Sequence, residues 1–365
     1  MKIALISRYF LPYQIGGEEY HVHYLAQSLS RLGLEIHVFT STDSEKRKRI
    51  EIQHVENRKD YTVHYVNSDL FGRLPLELND FDVIHLHGFS RFAWPHLMKR
   101  YSCKKIVNTP HGALLAPYFE KSFRNLLKIT FDNLVTKDLL RKLHRIIAIT
   151  NFEKAFLTKK YGLNPQKIVV IPNAVPEEAF QTYRSEVIFP YKYLIGLGRI
   201  SKIKRYDRII KILPKIPKEI HFVLVGPDYG DLKSLLKLSR RLNVADRVHY
   251  LGAKYGREKY VLLRNAIALV ISSSYESFPL VSIESLAQKS PVIAPNFPTL
   301  SEIILNEKTG MLYRPENLQE LHMAVMQVIE KRQMLEKKIE EFQPRLREFS
   351  WINISKKVKE VYQND

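Results

Sequence analysis

The sequence predicts an α/β protein built from two doubly wound, parallel-sheet domains. Short β-branched runs recur along it, among them "KIALIS", "EIHVFT", "DVIHLH", "KIVNT" and "RIIAIT", then "YLIGLG", "HFVLVG", "ALVISS" and "PVIA". Many are apolar on both faces, as buried parallel strands are. The segments between them are helical in period. After Gly16-Gly17, for example, Val22, Leu25, Ala26, Leu29 and Leu32 share one stripe, which Gly33 ends as a C-terminal cap. The series also runs twice. Between residues 171 and 191 it lapses into the proline-punctuated "IPNAVPEEAFQTYRSEVIFPY", and a new strand then opens. A length of 365 residues is itself more than one hydrophobic core usually serves.

The expected organisation is a Rossmann-like domain over 1–180, a second over 190–345, and a C-terminal helix within 346–365 that returns to the first domain. That last element reads as an amphipathic helix from Trp351, "WINISKKVKEVYQ".

Charge and cysteine content narrow the class. Lys+Arg number 57 against 38 Asp+Glu, a net +19, which favours anionic partners such as phosphates or acidic lipid headgroups. The excess is spread over both halves, with no basic tail, and no nucleic-acid partner is expected. The densest run, Lys46-Arg47-Lys48-Arg49, falls where a solvated surface loop is expected. A lone cysteine, Cys103, excludes an internal disulfide framework and fits a reducing compartment. The opening "MKIALISRYF" has too short an apolar stretch for a signal peptide, and no segment approaches the apolar length of a membrane span. A cytoplasmic protein is expected, with peripheral attachment to the inner face of the membrane as an accompanying option.

Three stretches could carry chemistry. In "LGRISKIKR", Gly196 and Gly198 form a G-x-G, but Ser201 stands where a dinucleotide fingerprint has its third glycine, so hydride transfer is disfavoured. Arg199 and Lys204 could instead grip one diphosphate, the arginine as a fork and the lysine as a point charge. The plain alternative is a pair of exposed loop cations. In "YESFPLVSIESLAQKSPVI", a helix is expected to start near Ser277 or Phe278 with Pro279 in its first turn. Its first turn, Phe278, Pro279, Leu280 and Val281, would offer free backbone N–H groups, from all but the proline, and so an anion site. Glu284, about six residues in and so about 9 Å along the axis, suits a ribose, and Glu276 lies nearer the transferred group. Either glutamate could also be an ordinary exposed residue. Among the histidines, His85 and His87 share a strand face, and so would His21 and His23 if extended. No third ligand or spacing motif accompanies them, so no metal site is expected. Asp80-Phe81-Asp82 is a D-x-D of the kind that can bind manganese, here directly before a strand, where acidic residues are ordinary surface features.

Taken together, Arg199 with Lys204, "LVGP" (Leu224 to Pro227), "VHYLG" (Val248 to Gly252), the E-x7-E of Glu276 and Glu284, and "PVIA" resemble the donor half of the family 4 glycosyltransferases of GT-B fold. The likeness extends to the first half through "PYQIGGEEYHVHYLAQSL", "DVIHLHG", "TPHG" and "VIPNAV". The resemblance implies two facing Rossmann-like domains with a cleft between them, and metal-independent transfer of a sugar from a nucleoside diphosphate to a hydroxyl acceptor, glycan or lipid-linked, with retention of configuration. It makes Arg199 and Lys204 the pyrophosphate clamp, Glu284 the ribose acceptor and Glu276 a ligand of the donor sugar. His111 then lies beside that sugar, and Gly16 and Gly17 form a glycine loop. Val248 to Leu251 match the base-binding region, and no cofactor is implied. Ser277 and Pro279 depart from the glycines commonest at their positions, and Asn173-Ala174 from the usual Asn-Gly. The alternatives are a sugar-nucleotide epimerase of the same architecture, or a non-enzymatic polyanion- or membrane-surface-binding protein on the same scaffold.

Overall fold

In the computed structural model, residues 1–13, 16–42, 54–68, 73–90, 93–119, 123–183 and 188–364 are described. The basic run Lys46-Arg47-Lys48-Arg49 lies outside the described residues. The chain divides into two compact units, Met1–Ala174 with Trp351–Asp365, and Val175–Ser350. The first division falls at 174/175 rather than within 181–189, and the second at 350/351 rather than 345/346. The reason is a local tie in which the Val175 N–H donates to the Phe349 carbonyl at 2.9 Å, so the outgoing and returning chain segments are paired inside the second unit.

The first unit is an eight-stranded sheet. Its strands are β1 (Lys2–Ile6), β2 (Glu35–Ser41), β3 (His54–Asn57), β4 (Thr62–Val66), β5 (Val83–His87), β6 (Lys105–Thr109), β7 (Arg145–Ala148) and β8 (Ile168–Val170). They lie in the order β3-β4-β2-β1-β5-β6-β7-β8, parallel throughout except for β3 against β4. β1, β5 and β6 carry almost unbroken buried residues, which explains why their sequences do not alternate. The helix Gly17–Arg31 lays Val22, Leu25, Ala26 and Leu29 onto the sheet. The helix Trp351–Gln363 packs beside it, with Trp351 stacked on Tyr24 and Lys359 Nζ donating to the Leu32 carbonyl at 2.9 Å. Tyr362 OH reaches His85 Nδ1 at 2.6 Å, fixing this helix to β5.

The second unit is an all-parallel six-stranded sheet. It comprises β9 (Lys192–Leu197), β10 (Ile220–Val225), β11 (Val248–Tyr250), β12 (Ala268–Val270), β13 (Val292–Pro295) and β14 (Gly310–Tyr313), in the order β11-β10-β9-β12-β13-β14. The strand order therefore reverses between β1 and β5 in one unit and between β9 and β12 in the other. In open α/β sheets, ligands bind outside the carboxyl ends of the strands at such reversals.

Candidate active site

The switch point of the second unit is built by close approach of two backbones. Gly198 follows β9 at φ 136°, and Gly226 follows β10 at φ 144°. A Cβ on Gly226 would stand 1.9 Å from the Gly198 carbonyl oxygen, so a side chain there would force the two strand ends apart. The G-x-G thus serves strand packing. Beyond it, the loop after β9 is stitched to the loop after β12. Ser274 N–H donates to the Ile203 carbonyl at 2.9 Å, and Ser272 Oγ to the Lys204 carbonyl at 2.8 Å. This stitching brings Lys204 Nζ to Glu276 Oε1 at 2.6 Å, an oxygen that also accepts from Ser273 Oγ at 2.6 Å. The pair is mostly enclosed, with side chains 20% and 13% exposed. Arg199 is exposed and lies over the Tyr229 ring, 5.4 Å from its centroid.

The helix after β12 begins later than the sequence suggests. It spans Leu280–Ala287, with Pro279 as the N-cap in an extended conformation (ψ 99°). A residue preceding proline is pushed away from helical geometry, so Phe278 cannot start the helix. Glu284 is therefore the fifth helical residue, about 6 Å along the axis rather than 9. Its side chain is 9% exposed and pairs with Lys259 Nζ at 2.7 Å. Phe278 and Pro279 are buried, while Leu280 and Val281 are half-buried in the first turn. Val248 departs from its expected place. It stands at the amino end of β11, 6% exposed within the core of the unit, whereas Leu251 lies just past the strand's carboxyl end.

In the first unit, Gly16 caps the helix Gly17–Arg31 in extended conformation, with Gly17 exposed as its first residue. Glu18 follows. It accepts from Ser7 Oγ at 3.1 Å at the end of β1 and is pushed up to about 7 by burial and by neighbouring Glu19. His111 sits just past β6 at φ 52°, in the left-handed region. The turn is held by buried Glu153, which accepts from Gly112 N–H at 2.9 Å and Ile149 N–H at 2.8 Å. Burial pushes that carboxyl up to about 7, although both backbone bonds oppose the shift.

His111 is not alone. Its Nε2 lies 3.1 Å from His87 Nδ1, and the His21 ring is 4.6 Å away centroid to centroid. One ring nitrogen from each of the three lies within 4.8 Å of the other two. The expectation that no third imidazole joins the paired histidines is thus corrected. The helix Gly17–Arg31 turns His21 inward onto the strand-borne rings, and His23 instead meets Tyr61 OH at 2.6 Å. Burial holds His21 and His87 well below the usual imidazole range, with nearby imidazoles adding to the shift, and holds His85 and His111 at about 3. All four are neutral near pH 7.

The D-x-D residues lie elsewhere. Asp82 precedes β5 at the amino edge of the sheet and accepts from the Lys2 backbone N–H at 2.6 Å, while Asp80 is exposed.

Two family models divide the chain between them, one described as Glycosyltransferase Family 4 over residues 15–179 and one as Glycosyl transferases group 1 over residues 183–344. The chain belongs to the family 4 glycosyltransferases. An uncharacterized glycosyltransferase of Methanocaldococcus jannaschii is 24% identical, over 100% of this chain and 98% of that protein. The GPI3 subunit of phosphatidylinositol N-acetylglucosaminyltransferase from Saccharomyces cerevisiae is also 24% identical, over 99% and 82%. Among solved structures, sucrose-phosphate synthase from Thermosynechococcus elongatus matches with a TM-score of 0.84 at 21% identity, covering 99% of this chain and 98% of the other. Anabaena HepE in complex with UDP-glucose matches with a TM-score of 0.79 at 19% identity, covering both chains fully. The fold class is GT-B, and the protein is a glycosyltransferase; the epimerase and non-enzymatic readings give way to that membership.

Three groups at this transferase's strand edges escaped the sequence reading. Lys259, on the helix Gly256–Asn265, has no motif around it. Glu18 was hidden inside the Gly-Gly-Glu-Glu run. Glu153 did carry a signal, because Thr150-x-x-Glu153 is a capping-box pattern and Thr150 Oγ1 accepts from the Glu153 N–H at 3.0 Å.

Proposed function

We propose that this glycosyltransferase moves a sugar from a nucleoside-diphosphate donor to a hydroxyl acceptor with retention of configuration and without a metal ion. The observation that carries this reading is the pair of enclosed Lys–Glu contacts at one sheet edge, Lys204 with Glu276 and Lys259 with Glu284. They offer cations for a diphosphate and carboxylates for sugar and ribose hydroxyls. In this reading Arg199, Lys204 and the first-turn N–H groups of Leu280 and Val281 take the charge that builds on the departing diphosphate. Glu284 accepts from the ribose hydroxyls. Glu276 holds the donor sugar, and His111, neutral and propped by Glu153, donates or accepts one hydrogen bond beside it. The acceptor hydroxyl attacks the anomeric carbon on the face the diphosphate leaves, and a diphosphate oxygen takes the proton. Charge of this kind does the work a metal does in other transferases. The UDP-glucose complex of the Anabaena neighbour makes uridine diphosphate sugars the first donors to try.

A lipid-linked acceptor at an anionic membrane surface fits the exposed apolar residues of the segment from 123 to 141. Leu126, Leu127 and Leu134 are 58%, 59% and 74% exposed, with Lys128 and Lys137 on the same segment. The yeast relative's name, which places its activity on phosphatidylinositol, supports the same acceptor class. Among the described residues no helix is long and apolar enough to cross a membrane, so docking would be peripheral.

Thermal shift against UDP-, GDP- and ADP-sugars in excess EDTA tests the donor. A ligand at a hundred times its dissociation constant stabilises by about 2.7 kcal/mol. A shift with one base class, followed by turnover in the same EDTA buffer, supports the reading. Turnover abolished by EDTA and restored by manganese would overturn metal independence.

A further inference from the structure

The three imidazoles of His21, His87 and His111 are arranged unlike the fourth histidine beside them. His85 is fully satisfied, with Nδ1 against Tyr362 OH at 2.6 Å and Nε2 against Thr109 Oγ1 at 2.8 Å. A neutral imidazole has one N–H and one lone pair, and His85 spends both. The trio does not. His21 Nδ1 and His87 Nε2 are buried without a hydrogen-bond partner, although His21 is 6% and His87 1% exposed. Each ring is carried by a different rigid element: His21 by the helix Gly17–Arg31, His87 by the last position of β5, and His111 by the turn after β6. The closest nitrogens, His87 Nδ1 and His111 Nε2, are 3.1 Å apart. Two imidazoles on one tetrahedral zinc, at about 2.0 Å from the metal, stand about 3.3 Å apart.

We infer that His21, His87 and His111 form an inhibitory binding site for a borderline-soft divalent ion, Zn²⁺ first. Three neutral nitrogens and no carboxylate suit zinc, copper or nickel and disfavour magnesium, calcium and manganese. His111 is half-buried while the other two are buried, so the ion enters from its side and keeps a fourth position for water. The three ligand nitrogens already lie within 4.8 Å of one another, close to the spacing a bound ion requires. Inhibition rests on the reading above that His111 lies beside the donor sugar, since an ion on His111 removes that hydrogen bond and occupies its space. Ion binding itself does not rest on it.

The test uses the full chain stripped with EDTA and dialysed free of it. Equilibrium dialysis with Zn²⁺ should show one tight equivalent, and Co²⁺ should give the intense visible bands of a four-coordinate site. His21→Ala and His87→Ala should each weaken zinc binding at least tenfold. His249→Ala, which breaks the partly buried His221–His249 contact of 2.8 Å in the other unit, should leave binding unchanged. Should the alanine variants not fold, X-ray absorption on the wild-type zinc complex decides, with three imidazoles at about 2.0 Å expected. Zinc held by fewer than three imidazoles, or binding lost in His249→Ala alone, overturns the site. If zinc binds as described but does not inhibit transfer, the placement of His111 at the sugar fails and the metal site stands.

Discussion

Glu276→Gln should tighten the binding of sugar-free nucleoside diphosphate and slow transfer from the complete donor. Lys204 Nζ is engaged by Glu276 Oε1 at 2.6 Å, so the carboxylate neutralises a cation that a diphosphate needs. A phosphate oxygen bonded to the same ammonium at about 2.8 Å would stand about 5 Å from that carboxylate. Repulsion between unit charges at this distance is about 3 kcal/mol at an effective dielectric constant of 20 and about 0.8 in bulk water. The side chains are 20% and 13% exposed, so the real value lies between these limits. At about 1.4 kcal/mol per tenfold, the variant should bind the free diphosphate roughly four- to a hundredfold more tightly. A charge-assisted bond to the sugar is lost at the same time, about 1.5–3 kcal/mol, so kcat should fall roughly ten- to a hundredfold. Titration calorimetry with the diphosphate and steady-state kinetics with the donor read the two effects separately. Weaker diphosphate binding with unchanged kcat would refute both the placement of the phosphate at Lys204 and the placement of the sugar at Glu276.

Glu284→Gln should do the reverse of Glu276→Gln, weakening the free diphosphate at least about tenfold because a charged acceptor of the ribose is lost; calorimetry that finds no change would remove Glu284 from the ribose. Acid should unfold the protein early. His21, His85, His87 and His111 are neutral when folded and gain protons on unfolding below about pH 6.5, whereas Glu18 and Glu153, pushed up to about 7, release theirs above about 4.5. Four uptakes against two releases leave a loss of roughly 2.7 kcal/mol per pH unit between those limits, which urea melts from pH 7 to 5 would detect; a flat profile would contradict the burial of the imidazoles. Leu127→Glu with Leu134→Glu should reduce co-sedimentation with anionic liposomes several-fold and leave transfer to a soluble acceptor intact, and wild-type binding should fall as salt rises. Equal binding of the double variant and wild type would place membrane contact elsewhere.

The sequence was most informative where chemistry and fold are local. Glu276 and Glu284 are eight positions apart in one loop and helix, and Arg199 and Lys204 share one loop, so spacing alone located the strand edge on which they lie. Their partners were less legible. Lys204 meets Glu276 through loop-to-loop bonds made by Ser272 and Ser274, and Lys259 meets Glu284 from a helix 25 residues upstream; neither contact has a local period. The helix start was misplaced because the restraint of Pro279 on the residue before it outweighs the preference of proline for a first turn. The histidines show the same limit over a longer span. His21, His87 and His111 are separated by 66 and 24 residues, and the order of β1, β5 and β6 in the sheet is what makes them neighbours.

Net charge misleads about these edges in a way the fold corrects. The basic excess is shared by both halves of the sequence, and at the carboxyl edge of β1, β5 and β6 the described residues include Glu18 and a group of uncharged imidazoles, with Arg8 just past β1 over the Tyr9 ring. The corresponding edge of β9 and β12 carries Arg199, Lys204 and Lys259. A diphosphate needs cations, and a sugar or acceptor hydroxyl needs neutral or anionic hydrogen-bond partners that do not attract phosphate. The acidic start of the helix Gly17–Arg31 strengthens this division, because Glu18 and Glu19 occupy the position where a helix terminus would otherwise hold an anion. The glycine pair Gly16-Gly17 in this chain therefore suits the approach of a hydroxyl-bearing acceptor better than that of a phosphate. Replacing Glu18 with Gln should raise KM for the acceptor and leave the diphosphate affinity of the second unit unchanged.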